Sequence, residues 1–391
     1  MSEAQVIIVG GGPAGLSCAA ALKKRGIEAT IFDKNRQIGD SWAQRYKHVK
    51  LHTVRRYSGL AHYPIPKNYP QYVPKDMYVE YLQDYAAYFD LDYKPDTRVQ
   101  KVRKPSKNGR FLVELEGEEW HSQAVVIATG HHGKPVLPDW PGRDEYRGQL
   151  LHSGDYYESN PFVNRRILVV GSGNSGCEIA TELAENGAFY VAISIRTSPA
   201  VVPRDFMGTP SQVFGILLSS VPPQVADRIG MTLSRIALGD LTRYGLQPAA
   251  WQPFSARRVP VIDVGFVRAL KNGLIQIRPN VSRLTRSGVI YENHEEQAFD
   301  TIIMATGFRT GLGQLLDIED LLRADEFPAY PSGDVTSTPG LYFMGYTESH
   351  RGLLYEANQD ARGLSKIIST YLEGSENGST RELAREQLGT S

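Results

Sequence analysis

The sequence predicts an α/β fold: two Rossmann-like dinucleotide-binding domains, the second inserted into the first. Three observations predict it. The stretches "QVIIVGGGPAGLSCAA" (5–20) and "ILVVGSGNSGCEIA" (167–180) each read as a buried strand, a glycine-rich turn and the start of a helix. Each is followed, further along the chain, by an apolar run ending in Ala-Thr-Gly: "AVVIATG" (124–130) and "TIIMATGF" (301–308). Finally, the run opening the first stretch is apolar and β-branched, as a parallel strand covered on both faces requires.

The first unit can be justified residue by residue. Residues 5–9 form a short apolar run, expected for a central parallel strand. Gly10, Gly12 and Gly15 give G-x-G-x-x-G. The first glycine allows the tight turn, the second lets backbone approach a pyrophosphate, and the third lets helix pack against strand. Pro13 and Ala14 open the helix, whose free N–H groups would point at the phosphates. Lys23, Lys24 and Arg25 make its last turn basic, and Gly26 ends it. A second strand, "EATIF", delivers Asp33 23 residues beyond Gly10, where a carboxylate accepts from a ribose hydroxyl.

The second unit repeats this plan with one difference. Strand 167–170 leads to Gly171, Gly173 and Gly176, with Asn174 and Ser175 at the helix start and Gly187 beyond its end. The next strand, "FYVAISI", is followed by Arg196, Thr197 and Ser198 and by no carboxylate. An adenosine 2′-phosphate would be repelled by an acid there and paired by Arg196, with a hydroxyl from Thr197 or Ser198 assisting. This favours NADP over NAD. Two nucleotides then make chemical sense: a flavin as prosthetic group, and NADPH as a consumable hydride donor. The expected division is an FAD-binding domain from 1–155 and 299–373, an inserted NADP-binding domain from 156–298, and a polar tail from 374–391. In the last part, "GLYFMGYTESHRGLLYEA" reads as a strand, a loop and a helix beginning near 352–354. The positive end of that helix would face the flavin.

Composition narrows the function classes. The 391-residue chain holds 43 basic and 43 acidic residues, so no net field draws it to nucleic acid. Cys18 and Cys177 stand far apart and make no disulfide framework. The nine histidines do not cluster with acids or cysteines, and His131-His132 lacks a partner at ligand spacing, so no metal is expected. The first strand begins by about Gln5, leaving no room for a signal peptide, and no run of roughly 18 apolar residues reads as a membrane span. A cytoplasmic protein acting on a small molecule is expected. Tyr78, Tyr81, Leu82, Tyr85 and Tyr88 recur at helical spacing and are read as one buried or half-buried helix face. The apolar segment 211–240, split by Pro222-Pro223, is read as a cap over a substrate entrance or as a homodimer surface.

Between the two fingerprints lies "YRGQLLHSGDYY", with Tyr146, Gly148, His152, Ser153 and Tyr156. It resembles the F-x-G-x-x-x-H-S-x-x-Y signature of flavin-containing monooxygenases, with Tyr in place of Phe. The nearer resemblance is to YUCCA-type flavin monooxygenases, through "GDSWAQRYKHVKLHTVRRYSGL", "ALGDLTRYGL", "RVPVIDVGFVRALKNGLIQIRP" and "PGLYFMGYTESHRGLLYEA" in the same order. It covers residues from about 5 to 370. The resemblance implies an oxidoreductase in which NADPH reduces FAD and O2 then forms a C4a-hydroperoxyflavin. That species hands one oxygen atom to a substrate. A 2-oxo acid such as indole-3-pyruvate, oxidatively decarboxylated, is the implied substrate; a nucleophilic amine or sulfide, oxygenated at nitrogen or sulfur, is the alternative. It also implies flavin contacts at Ser41, Trp42, Thr129, Gly130 and Gly345. His52, in "VKLHTVRR", stands where many of these enzymes carry an active-site asparagine. It is the candidate catalytic residue: an imidazole there donates to NADP+ or to the peroxyflavin, orients a substrate carboxylate, or simply packs beneath the cofactor.

The same two-domain plan serves other functions. A disulfide reductase needs a cysteine pair at the flavin, and none exists. A Baeyer–Villiger monooxygenase continues the signature to tryptophan where this chain has Tyr156. An NADPH oxidase or diaphorase, and a non-catalytic NADPH sensor, share the fingerprints and are separated from a monooxygenase by experiment.

Overall fold

The computed structural model describes residues 2–105, 109–318 and 320–388, with side chains as far as Gly374. Among these, eight strands form one sheet in the order Leu316–Asp317, Lys101–Arg103, Phe111–Glu114, Glu119–Ile127, Ser2–Val9, Ala29–Phe32, Asp92–Lys94, with Leu341–Phe343 also pairing with Glu119–Ile127. Ser2–Val9 lies at its centre, parallel to both neighbours, and Val6, Ile7 and Ile8 are wholly buried because both faces are covered. The strand is longer than its apolar run, since Ser2, Glu3 and Ala4 pair with Trp120, His121 and Ser122.

One face of this sheet is covered by the helices Pro13–Lys23, Lys75–Tyr88 and Leu353–Leu388, which bury Leu16, Ala20, Tyr81, Leu364 and Ile368 together. Small residues let the first helix approach the last: Ser17 Oγ donates to the Ala357 carbonyl at 3.3 Å. The tyrosine stripe falls on the expected helix. Tyr81 and Tyr85 are buried and donate to the carbonyls of Tyr63 (2.6 Å) and Ala61 (2.7 Å), so their hydroxyls hold the 60–63 loop against the helix. Tyr88 departs from the stripe. It ends the helix, is 62% exposed, and leans on Tyr63 rather than entering the core. The opposite face packs Phe111, Val113, Val125, Leu312 and Phe343.

The second sheet is all parallel, in the order Ile275–Arg278, Tyr190–Ser194, Arg166–Val170, Thr301–Met304, Gln149–His152. Its central strand carries the fully buried Ile167, Leu168 and Val169, and the helix Asn174–Glu185 covers one side with Ile179, Ala180 and Leu183. Gln149–His152 and Thr301–Met304 belong here by pairing, although sequence assigned both to the first domain. Both crossings between sheets lie on the other side of these strands. There Lys134–Pro135 and Phe308–Arg309 pair antiparallel, so the two connections run side by side.

Segment 211–240 folds as two helices, Ser211–Leu218 and Pro223–Leu238, broken at Pro222-Pro223 as expected. The last helix starts at Leu353 and its backbone runs on to Leu388, so the expected tail at 374–391 continues that helix as far as the described residues go. Among the described residues no helix is long and apolar enough to cross a membrane.

Candidate active site

The two glycine turns are built alike, and each is completed by one of the Ala-Thr-Gly segments. A Cβ on Gly10 would stand 2.6 Å from the Ala128 carbonyl oxygen; one on Gly171 would collide with that of Ala305. Both glycines have positive φ, at 109° and 111°. A Cβ on Gly15 would strike the Gly10 carbonyl, and one on Gly176 the Gly171 carbonyl. At Gly12 and Gly173, by contrast, nothing stands within 4 Å of the Cβ position. These are the open approaches to the starts of helices Pro13–Lys23 and Asn174–Glu185. The turns therefore fit two pyrophosphate-bearing nucleotides: tight where helix meets strand, and open where phosphate would lie.

The parallel also shows where the two sites differ. Gly10 N–H donates to the Phe32 carbonyl at 2.8 Å and Gly171 N–H to that of Ser194 at 3.0 Å. Asp33 follows Phe32, so its counterpart in the second unit is Ile195. Arg196 stands one residue further on, exposed and without a hydrogen-bond or ion-pair partner among the described residues. Asp33 is buried, and its oxygens accept from the Gly11 and Asn35 backbone N–H groups at 2.5 and 2.7 Å. Burial pushes its carboxyl above the ordinary value while these two bonds pull it down.

A cavity of about 1020 Å³ runs from the first turn to the second helix. Gly10, Gly12, Pro13, Ala14, Asp33, Ser41, Trp42, His52, Thr129, Gly130 and Gly345 all line it, as does Ser175. Gly15 lies behind this wall, beneath Gly10. Gly171, Gly173, Asn174, Gly176, Arg196 and Thr197 are not on the wall. Asn174 has its side chain engaged: Oδ1 accepts from Ile262 N–H at 2.7 Å and Nδ2 donates to the Pro260 carbonyl at 3.2 Å. Thr129 Oγ1 shares a 2.8 Å hydrogen bond with Tyr346 Oη, fixing the first Ala-Thr-Gly to the loop after Leu341–Phe343. Leu353, Leu354 and Ala357 bring the start of the last helix to the cavity.

His52 lies where the two units meet. Its Nε2 is 2.6 Å from Glu178 Oε1, an ion-pair contact bent away from a linear hydrogen bond. Glu178 comes from helix Asn174–Glu185, and its Oε2 accepts from Tyr46 Oη at 2.6 Å. Burial alone would push His52 down, but the charge and contact of Glu178 outweigh it and raise the imidazole above its ordinary value. His152, in the signature segment, has a framework role. Its Nδ1 accepts from Gly154 N–H at 3.1 Å, which leaves Nε2 to donate to the Gly307 carbonyl at 3.2 Å.

Several site residues carry no local sequence signal. Glu178 and Tyr46 become partners only across 132 residues of chain. Gln212 is different: a lone amide in the apolar run "SQVFGILL" could have been flagged. It is buried, accepts from Val54 N–H at 2.8 Å and donates to the Arg351 carbonyl at 2.5 Å. The helix it belongs to is thereby tied over the cavity, where Phe206, Phe214, Leu218 and Met231 form an apolar wall. Segment 211–240 thus turns one apolar face to the cavity, while Leu217, Val225 and Ile236 stay exposed.

Comparison with known proteins agrees with this architecture. Residues 3–318 match the family model described as flavin-binding monooxygenase-like. The chain is 34% identical over 373 residues to indole-3-pyruvate monooxygenase YUCCA1 of Oryza sativa subsp. japonica, covering 93% of this chain and 90% of that protein. It is 33% identical to indole-3-pyruvate monooxygenase YUCCA6 of Arabidopsis thaliana, covering 93% and 89%. Among solved structures, a flavin monooxygenase from Stenotrophomonas maltophilia superposes with a TM-score of 0.75 at 24% identity, covering 95% of this chain and 99% of that one. A cyclohexanone monooxygenase superposes at 0.74 with 18% identity, covering 97% and 89%. These two share the fold.

Proposed function

Because the chain belongs to the flavin-binding monooxygenase-like family, we propose that it is an FAD- and NADPH-dependent monooxygenase acting on a 2-oxo acid of the indole-3-pyruvate kind. The observation that carries this reading is the single cavity, which meets both Gly12 at the first helix start and Ser175 at the second. Nucleotides held at the two turns would face one shared space. The first-sheet unit would hold FAD through Gly10, Gly12, Ala14 and Asp33. The second would hold NADPH through its glycine turn, with Arg196 and Thr197 at the 2′-phosphate.

Bound there, the flavin supplies hydride acceptance from NADPH and activation of O2 for transfer of one oxygen atom. The chain's own residues supply position and dryness. The helix beginning at Leu353 turns its positive end toward the cavity, favouring negative charge there. Phe206, Phe214, Leu218 and Met231 exclude water from the reacting centre. Glu178 holds His52 at the seam, fixing one unit against the other. The net reaction balances as 2-oxo acid, O2, NADPH and a proton giving CO2, the carboxylic acid shorter by one carbon, water and NADP+.

The test is turnover of the holoprotein with indole-3-pyruvate, measuring product acid, CO2 and H2O2 per NADPH consumed. One product acid per NADPH supports the reading. Hydrogen peroxide alone would indicate an oxidase, and turnover confined to amines or sulfides would replace the 2-oxo acid with a nitrogen or sulfur nucleophile.

A further inference from the structure

Arg45 is a charged group on the cavity wall that no carboxylate touches among the described residues. Its guanidinium lies over the Trp42 ring, 4.8 Å from the centroid. Its Nε is enclosed and has no acceptor, and none of its nitrogens meets a carboxylate among the described residues. Glu178 is the nearby acid, but its two oxygens are taken by His52 and Tyr46. The remaining side-chain neighbour, His132 Nδ1 at 3.5 Å, brings no negative charge: burial pushes that imidazole down to about 3, so it is neutral. A half-buried guanidinium whose side-chain neighbours are a neutral imidazole and an aryl ring suits an anion that arrives with a ligand.

The backbone around Arg45 is held as a binding group requires. Lys75 is buried, and its Nζ donates to the carbonyls of Ala43 at 2.9 Å and Arg45 at 2.5 Å. Trp42 itself is braced edge-on by Tyr78, with centroids 4.9 Å apart. The guanidinium is therefore pre-positioned, and little side-chain freedom remains to be lost on binding.

We infer that Arg45 is a specificity-determining residue that receives the carboxylate of the organic acid substrate, while the apolar wall of Phe206, Phe214, Leu218 and Met231 takes its aryl body. This deepens the 2-oxo acid reading and rests on it. A nucleotide phosphate has the same oxyanion chemistry, but the two helix starts already offer open backbone N–H groups to phosphates. The other arginine on the wall at this seam, Arg204, has Asp205 as its partner at 3.4 Å. Arg45, by contrast, meets no carboxylate among the described residues.

The experiment compares wild type, Arg45→Lys and Arg45→Gln as FAD-loaded holoproteins. One arm reads KM and kcat for indole-3-pyruvate, and the KM for NADPH. The other measures inhibition by an arylalkanoic acid against its primary amide, which needs no 2-oxo acid turnover. Loss of a charge-assisted hydrogen bond predicts a KM for the oxo acid raised about 10- to 100-fold in Arg45→Gln, less in Arg45→Lys. The wild type's preference for acid over amide should fall in parallel, and the KM for NADPH should stay within about threefold. An unchanged acid-over-amide ratio together with an unchanged oxo acid KM in the FAD-loaded Arg45→Gln protein overturns the inference. A larger rise for NADPH than for the acid also overturns it and makes Arg45 a phosphate anchor. If the wild type turns over no 2-oxo acid, the functional reading fails separately, and the acid-over-amide ratio still decides Arg45.

Discussion

His52 and Glu178 meet across the seam between the two units, with Nε2 2.6 Å from Oε1. One comes from the segment after the short helix Asp40–Ala43, the other from the second turn of the helix behind the second glycine motif. The contact joins the catalytic candidate, His52, with the helix that would hold the second nucleotide. Glu178→Gln removes the charge that raises His52, so burial should then carry the imidazole below 6.5. A histidine raised in the folded state adds stability below its ordinary value, about 6.5, and loses it as pH rises through the raised value. The wild type should therefore melt above Glu178→Gln at pH below about 6.5, by an increment on the order of 1–3 kcal/mol, and the gap should close at higher pH. A gap independent of pH in calorimetry would sink this account.

Arg196 is exposed, unpaired and one residue beyond the counterpart of Asp33. Arg196→Ala should raise the KM for NADPH by about 10- to 100-fold and that for NADH by less than about threefold. Equal effects on both coenzymes would remove the 2′-phosphate assignment.

The two third glycines offer a test that separates the nucleotides. Gly176→Val places side-chain atoms against the Gly171 carbonyl, while the first turn is untouched. The purified variant should remain yellow and be reduced by dithionite, yet show no flavin bleaching with NADPH. Gly15→Val, against the Gly10 carbonyl, should yield colourless protein instead. Flavin loss from Gly176→Val would show that the two sites are not independent.

Gln212 ties the cap to Val54 and Arg351 from a buried position. Gln212→Leu leaves a buried donor and a buried acceptor unpaired, at a cost of about 1–3 kcal/mol each. Relief of that cost by water entering under the cap should raise H2O2 formed per NADPH, with flavin reduction little changed. Tight coupling in the variant would mean that other contacts hold the cap.

Much of this site can be read along the chain because its parts are local. A glycine turn needs glycine at fixed offsets, whatever surrounds it. Gly10, Gly12 and Gly15, and again Gly171, Gly173 and Gly176, therefore announce strand, turn and helix from a dozen residues each. Asp33 is legible for the same reason, since a parallel strand returns to the turn at a set distance. The tyrosine stripe is legible as far as Tyr85, because helical period decides a face; beyond it Phe89 takes the next buried place and Tyr88 falls beside that face.

Local sterics and hydrophobic periodicity are enough to set the two glycine-turn units, the paired Ala-Thr-Gly segments and the break at Pro222-Pro223. Only the tertiary structure decided which strands belong to which sheet, since Gln149–His152 and Thr301–Met304 could serve either side of a crossing until their pairing is known. It alone decided that Glu178 engages His52 and Tyr46, leaving Arg45 with no acid. An isolated arginine in a sequence looks like any other. Whether it is solvated, paired or held ready for a ligand depends on which distant groups folding brings beside it, and on which of them are already taken.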